Sequence, residues 1–211
     1  MTPPRTRRGV LVALEGIDGA GKTTLQQGLA RRWRRAGFSV RTAREPSDVR
    51  IGTKAQEIGS ASPWASALLF TVDRMAARPG IERWLARRNI VLQDRSFYST
   101  LAYQGSALPT HARIRLELLE RRLAILPDRV VLLDVEPSAG LARVRGRRAP
   151  RAPLERNRTL ARVARAYRRL ARQHHFLVLD GRSPASVLVD RADAALRPWL
   201  RRRLARRRPG R

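Results

Sequence analysis

The sequence predicts an α/β fold, a parallel sheet of about five strands with helices on both faces. Three observations carry that expectation. Apolar runs of strand length recur at Val10–Glu15, Phe38–Arg44, Ile90–Asp94, Val130–Asp134 and Phe176–Asp180. Between them lie helix-length segments with apolar residues at helical spacing. A glycine-rich turn joins the first run to the first helix, which is the connection a strand–loop–helix phosphate site needs.

The first element, Gly9 to Glu15 (GVLVALE), reads as a short buried strand, and Leu25 onward reads as a helix. Between them Gly16-Ile17-Asp18-Gly19-Ala20-Gly21-Lys22-Thr23-Thr24 fits G-x-x-x-x-G-K-[ST], the phosphate-cradling P-loop. Its glycines let backbone N–H groups surround phosphate oxygens, and the following helix points its positive end at the same anion. Lys22 would reach the β- and γ-phosphates of ATP, and the Thr23 hydroxyl would hold Mg²⁺. The alternative is a glycine-rich turn that binds nothing.

Ser62-Pro63 marks a helix start, an N-cap followed by an N1 proline. Trp64, Ala67, Leu68, Thr71, Val72 and Met75 then form one stripe, the expected core face. Phe70 and Arg74 lie off that stripe and next to each other. A ring beside a guanidinium suits a planar ligand, Phe70 stacking on it and Arg74 bonding a carbonyl. The alternative is a cation–π pair covering surface.

The run Ile90–Asp94 ends in Asp94-Arg95. An acid at a strand end is where P-loop proteins orient Mg²⁺ or its waters, and Arg95 can bridge a second phosphate. The alternative is an Asp that caps the next helix. Asp134 ends another run and is a rival for the metal, although Pro137 soon after it suggests an ordinary turn. Arg143 and Arg145 precede the stretch Gly146 to Pro153 (GRRAPRAP), which contains Arg147, Arg148 and Arg151 and is expected to be neither helix nor strand. A loop of this kind can stabilise charge on a transferring phosphoryl group and exclude water. The helix Leu160 to Leu170 sets Leu160, Val163, Ala164, Tyr167 and Leu170 on one face and reads as a packing helix.

Composition narrows the class. The 211 residues suit one domain, and 43% hydrophobic content places the chain among globular proteins. There is no cysteine, which excludes disulfides, thiolate zinc sites and cysteine nucleophiles. No apolar run is long enough to span a membrane, and MTPPRTRR lacks a signal-peptide core, so a cytoplasmic location is expected. Basic residues number 45 against 17 acidic, a formal charge of +28, and only Lys22 and Lys54 are lysines. Such a field attracts nucleic acid, acidic membranes or anionic small molecules. The plainer reading is a drift toward arginine on solvated faces. The densest run, Arg201 to Arg211, reads as a basic helix end or tail.

Over nearly its whole length the chain resembles the thymidylate kinases. The matching stretches are Ala13–Thr24 (ALEGIDGAGKTT), Ala43–Pro46 (AREP), Leu68–Arg74 (LLFTVDR), Gln93–Gly105 (QDRSFYSTLAYQG) and Pro127–Val135 (PDRVVLLDV). The resemblance implies nucleoside monophosphate kinase architecture, with ATP and dTMP as substrates, Mg²⁺ as cofactor and a homodimer. It implies that Asp18 binds the acceptor 3′-hydroxyl, Phe70 stacks on thymine and Arg74 bonds its O4. It implies that Arg95 holds the acceptor phosphate and that Asp94 organises Mg²⁺. Thr100 and Gln104 fall where the family contacts base and sugar, and Tyr103 would crowd the 2′ position. The arginine loop corresponds to the family's lid, so Arg143, Arg147 and Arg148 are candidates there. Ala20 stands where some relatives place a P-loop arginine, which the lid is then expected to supply. The chain departs from many bacterial members at Ser47-Asp48-Val49-Arg50, where they carry a Gly-Gly-Thr type turn. It also departs after the lid, at Pro153-Leu154-Glu155-Arg156, which lacks their usual acidic residues.

The expected function is transfer of the γ-phosphoryl of ATP to dTMP, giving dTDP and ADP. The expected organisation is a basic segment 1–8, one domain 9–200 with a lid at about 143–156, and a basic tail 201–211. Two rivals remain at this point: a P-loop kinase for another nucleotide, and a nucleic-acid-binding protein on a kinase-like fold.

Overall fold

The computed structural model describes residues 9–145 and 153–205. Five strands form one parallel sheet: β1 (Val10–Glu15), β2 (Val40–Arg44), β3 (Ile90–Asp94), β4 (Arg129–Asp134) and β5 (Leu177–Asp180). They are the five expected runs, with ends moved by one or two residues. Their order is β2-β3-β1-β4-β5. The inner strands β1 and β3 are buried along their whole length because helices cover both faces. The edge strand β2 buries Val40 and exposes Arg41 and Thr42.

The helices are α1 (Lys22–Arg35), α2 (Val49–Ile58), α3 (Pro63–Ala86), α4 (Phe97–Tyr103), α5 (Thr110–Leu123), α6 (Pro137–Arg145), α7 (Pro153–Gln173) and α8 (Ala185–Ala205). Strand order reverses beside β1, which opens a crevice at the carboxyl ends of β1 and β3. Register aligns Leu14 with Asp94 and Arg44 with Asp94. Two further main-chain bonds extend that alignment past the strand ends. Arg95 N–H donates to Leu14 O at 2.9 Å, and Glu45 N–H donates to Asp94 O at 2.9 Å.

Helix α3 starts as expected, with the Ser62 hydroxyl accepting from Ala65 N–H at 3.2 Å and Pro63 at the first position. Its expected core face is only partly a core face. Ala67 and Thr71 are buried, but Leu68, Val72 and Met75 are 41%, 54% and 47% exposed. Asp73 and Arg74 turn inward instead. The inward side of this helix roofs a polar crevice, so its charged residues find partners there and Leu68, Val72 and Met75 face out.

Of the arginine loop, α6 carries Arg143 and ends at Arg145, and α7 begins at Pro153. Arg147, Arg148 and Arg151 lie outside the described residues. Helix α8 runs on to Ala205, so the first part of the expected tail is the last turn of a helix, with Leu200 fully buried. No helix among the described residues is long and apolar enough to cross a membrane.

Helices α1 and α8 are joined by a buried polar contact. Trp33, fully buried, donates its indole N–H to Asp193 Oδ1 at 2.8 Å, and Asp193 Oδ2 lies 2.7 Å from the Arg197 guanidinium. Asp193→Ala strands the indole N–H and is expected to cost roughly 2–3 kcal/mol. At about 2–4 °C per kcal/mol the melting temperature should fall by roughly 4–12 °C. Asp193→Asn keeps an acceptor and should lose much less. Equal losses in the two variants on a thermal scan would contradict this account.

Candidate active site

The loop after β1 is built for an anion. Gly21 caps α1 in the left-handed region at φ 97°, with no side-chain cap and no acid in the first turn. The first-turn amides of Lys22, Thr23 and Thr24 therefore lack intrahelical acceptors and are left for a ligand. Gly19 sits at φ 80°, and a Cβ there would run into the Gly140 carbonyl. Ile17 and Ala20 are buried and offer the loop only backbone, while the Thr24 side chain is exposed.

Lys22 is buried and folded back on the loop. Its Nζ donates to Gly16 O at 2.9 Å and Ile17 O at 3.0 Å. Burial lowers its pKa to about 8; Arg95 adds to the shift, and Asp94, Asp18 and Glu15 oppose it. The Thr23 hydroxyl donates to Asp94 Oδ2 at 2.7 Å. Asp94 Oδ1 is buried and is the one such side-chain atom without a hydrogen-bond partner among the described residues. A buried carboxylate oxygen left open beside a hydroxyl suits a hard cation that takes oxygen ligands. Asp134 is engaged elsewhere, both its oxygens accepting from Arg168 Nε at 3.0 and 2.8 Å. Arg143 donates to Gly181 O at 2.9 Å and reaches Gly19 O of the loop at 3.4 Å.

A cavity of about 150 Å³ is lined by Asp18, Glu45, Pro46, Gln56, Phe70, Arg74, Arg95, Ser99, Thr100, Tyr103 and Gln104. Asp18, Phe70, Arg74, Arg95, Thr100, Tyr103 and Gln104, all singled out in the sequence, meet there. Arg74 is held on several sides. Its Nε and Nη2 reach Glu45, with Nη2 at 2.9 Å from Oε2, Nη2 also meets Thr100 Oγ1 at 2.9 Å, and Nη1 bonds Glu120. Of five guanidinium hydrogens, one on Nη1 remains for a ligand. Arg95 donates to Asp18 Oδ1 at 2.6 Å and lies 5.0 Å over the Tyr103 ring. Burial pushes the Tyr103 hydroxyl up to about 12, against the pull of Arg95. The Tyr103 oxygen accepts from Asp18 N–H at 3.1 Å, and Gln104 donates to Ser66 at 3.2 Å.

Three carboxylates escaped the sequence reading. Glu45 is largely buried and joins Arg74 to Gln93, whose amide donates at 2.6 Å. Glu120 is fully buried on α5 and also accepts from Thr71 at 2.7 Å. Its position four residues after the buried Leu116, on the same face, is a usable signal. Glu15 ends β1 inside an apolar run and is fully buried. The unusual turn at Ser47-Asp48 has its own fixture, as both main-chain N–H groups and the Ser47 hydroxyl donate to buried Asp73 at 2.8 Å.

The family model described as thymidylate kinase matches residues 14–192. The chain belongs to the thymidylate kinase family. It is 37% identical to the thymidylate kinase of Leifsonia xyli over 90% of this chain and 95% of that protein. It is 34% identical to a probable thymidylate kinase of Archaeoglobus fulgidus, over 90% and 96%. A thymidylate kinase of Xanthomonas euvesicatoria reaches 44% over 66% and 62%. The family is one of ATP-dependent phosphotransferases, so this chain is a kinase on a P-loop fold.

A lysine that meets ATP phosphates does so as the ammonium, which gives a test of Lys22. Since kcat/KM reports the free enzyme, kcat/KM for ATP should fall on the alkaline side with an apparent pKa near 8. Bound phosphates favour the ammonium, so the matching fall in kcat should come at higher pH. A kcat/KM profile flat to about pH 10 would refute a functional charge on Lys22.

Proposed function

We propose that this thymidylate kinase uses the P-loop for ATP and the adjoining cavity for dTMP. One observation supports this most: seven side chains of suitable chemistry line a single cavity that Asp18 shares with the P-loop. The backbone amides of Gly19 to Thr24, with Lys22, hold the ATP phosphates, and Arg143 braces the loop from outside. Arg95 exchanges its Asp18 partner for the acceptor phosphate. Phe70 stacks on the base, and the free Arg74 hydrogen bonds the thymine O4. Asp18 takes the 3′-hydroxyl, Tyr103 occupies the space a 2′-hydroxyl needs, and Thr100 and Gln104 line the base and sugar. Thr23 and Asp94 would hold Mg²⁺, which would supply positive charge to offset that of the phosphates. The acceptor phosphate oxygen attacks the γ-phosphorus, the bond to the bridging oxygen breaks, and ADP leaves with that electron pair. The residues contribute alignment and charge neutralisation, with no covalent step of their own.

The assignment of Arg74 is tested by the acceptor range. A coupled ADP-release assay should show dTMP and dUMP turned over well above dCMP, whose 4-amino group cannot accept the Arg74 hydrogen. An unpaired buried donor costs enough for discrimination of about a hundredfold. Equal turnover of dCMP and dTMP would defeat the assignment.

The homodimer that the family resemblance implies has a suitable face in Leu68, Val72 and Met75. They form one exposed apolar stripe on α3, which an isologous contact between two copies would bury. Val72→Arg should convert a dimer to monomer by sedimentation while leaving the secondary structure intact, and a variant that sediments like the parent would locate the contact elsewhere. The charge of +28 also gives a salt-sensitive attraction for nucleic acid, to which the arginines of 201–211 contribute.

A further inference from the structure

Glu15 does not line the cavity, yet four hydrogen bonds from residues around Arg95 converge on it. Its Oε1 accepts from Ser96 N–H and from the Ser96 hydroxyl, both at 2.7 Å. Its Oε2 accepts from the Ser99 hydroxyl at 2.6 Å and the Tyr167 hydroxyl at 2.9 Å. Ser99 and Tyr167 are themselves 2.8 Å apart. Ser99 Oγ also accepts from Arg95 Nη1 at 3.1 Å. The guanidinium of Arg95 is thus attached at one end to Asp18 and at the other to a buried Glu15–Ser99–Tyr167 cluster.

Packing alone does not call for this arrangement. A carboxylate at a fully buried strand end carries a desolvation cost that its hydrogen bonds must offset. What the carboxylate does is grip Ser96, the N-cap of α4 directly after Arg95, and Ser99 in the first turn of that helix. Arg95 itself is at φ 72°, a strained conformation for a side chain other than glycine, which persists only where neighbours over-determine it. Tyr167 adds a second constraint from α7: its ring meets the Tyr103 ring edge-on at 6.3 Å, and Arg95 lies over that same Tyr103 ring.

We propose that Glu15, Ser99 and Tyr167 are positioning residues that aim the Arg95 guanidinium at the acceptor phosphate. The proposal rests on the reading of Arg95 as the phosphate contact. A role in aim, unlike a role in folding, concerns only ligands that carry the phosphate.

The test compares dTMP with thymidine, which has the same base and sugar and no phosphate. In Tyr167→Phe, which keeps the ring and removes one hydroxyl, KM and Kd for dTMP should rise about tenfold, the scale of a charge-assisted bond lost at one remove. Thymidine affinity, KM for ATP and the melting temperature should stay near those of the parent. Glu15→Gln should act in the same direction and more strongly, and the double variant should fall short of the product of the two, as expected for members of one cluster. Equal weakening of dTMP and thymidine, or a fall in melting temperature with unchanged Kd values, would overturn the proposal in favour of a structural role. Arg95→Ala separates the two layers. If it fails to weaken dTMP relative to thymidine, the reading of Arg95 falls and the proposal falls with it. If it weakens dTMP and Tyr167→Phe does not, only the positioning role is overturned.

Discussion

The parallel register of β2, β3 and β1 is the constraint from which the rest of the site follows. Asp94 stands level with Leu14 on one side and Arg44 on the other. Each strand therefore releases its chain at the same height, and the next residues, Glu15-Gly16, Arg95 and Glu45, emerge side by side. The P-loop, the acid–arginine pair and the carboxylate that holds Arg74 are far apart in sequence and adjacent in space for this one reason. Main-chain bonds from Arg95 to Leu14 and from Glu45 to Asp94 carry the alignment one residue beyond the sheet. A slip of one residue in β3 would exchange Asp94 and Arg95 across the faces and separate Thr23 from its carboxylate.

Burying cations at that edge demands buried anions. Arg74 lies between Glu45 and Glu120, and Arg95 meets Asp18 and, through Ser99, Glu15. Burial by itself drives the carboxyl groups of Glu15 and Glu45 above their ordinary range, and nearby arginines oppose that. The orientation of α3 follows from the same requirement. Because Asp73 and Arg74 must face their partners at the crevice, Leu68, Val72 and Met75 are turned away from the core. The apolar exterior of this helix is a consequence of its polar interior.

That reversal marks where the sequence could and could not be read. Strands and P-loop were legible because apolar runs and glycine spacing are local signals, fixed by sterics within a few residues. Phe70, Arg74 and Arg95 in the cavity were legible because they carry their chemistry in adjacent or helix-adjacent positions, whereas Asp18, Thr100, Tyr103 and Gln104 were assigned only through the family resemblance. The stripe on α3 misled because periodicity locates an apolar face without saying what it faces. Glu15, Glu45 and Glu120 were hidden because their roles exist only across the fold: Glu15 meets Tyr167 from α7, and Arg74 on α3 meets Glu120 on α5. Tyr167 was correctly placed on a packing face, yet its hydroxyl is what matters at the site, and helical spacing carries no information about a side chain's far end.

The groups at this site are already paired with one another. Lys22 rests on the carbonyls of Gly16 and Ile17, Arg95 on Asp18, and Thr23 on Asp94. These bonds offset the cost of keeping cations in a poorly solvated crevice. They also set what a ligand must bring. A neutral ligand would break internal pairs without replacing them, and a single phosphate would satisfy only one cation. In the proposed reading, two phosphate-bearing ligands together would replace both sets of partners with charge-assisted bonds of their own. On that reading, a preference for a donor and an acceptor that are both anionic would arise from the pairs the site must give up as much as from the contacts it gains.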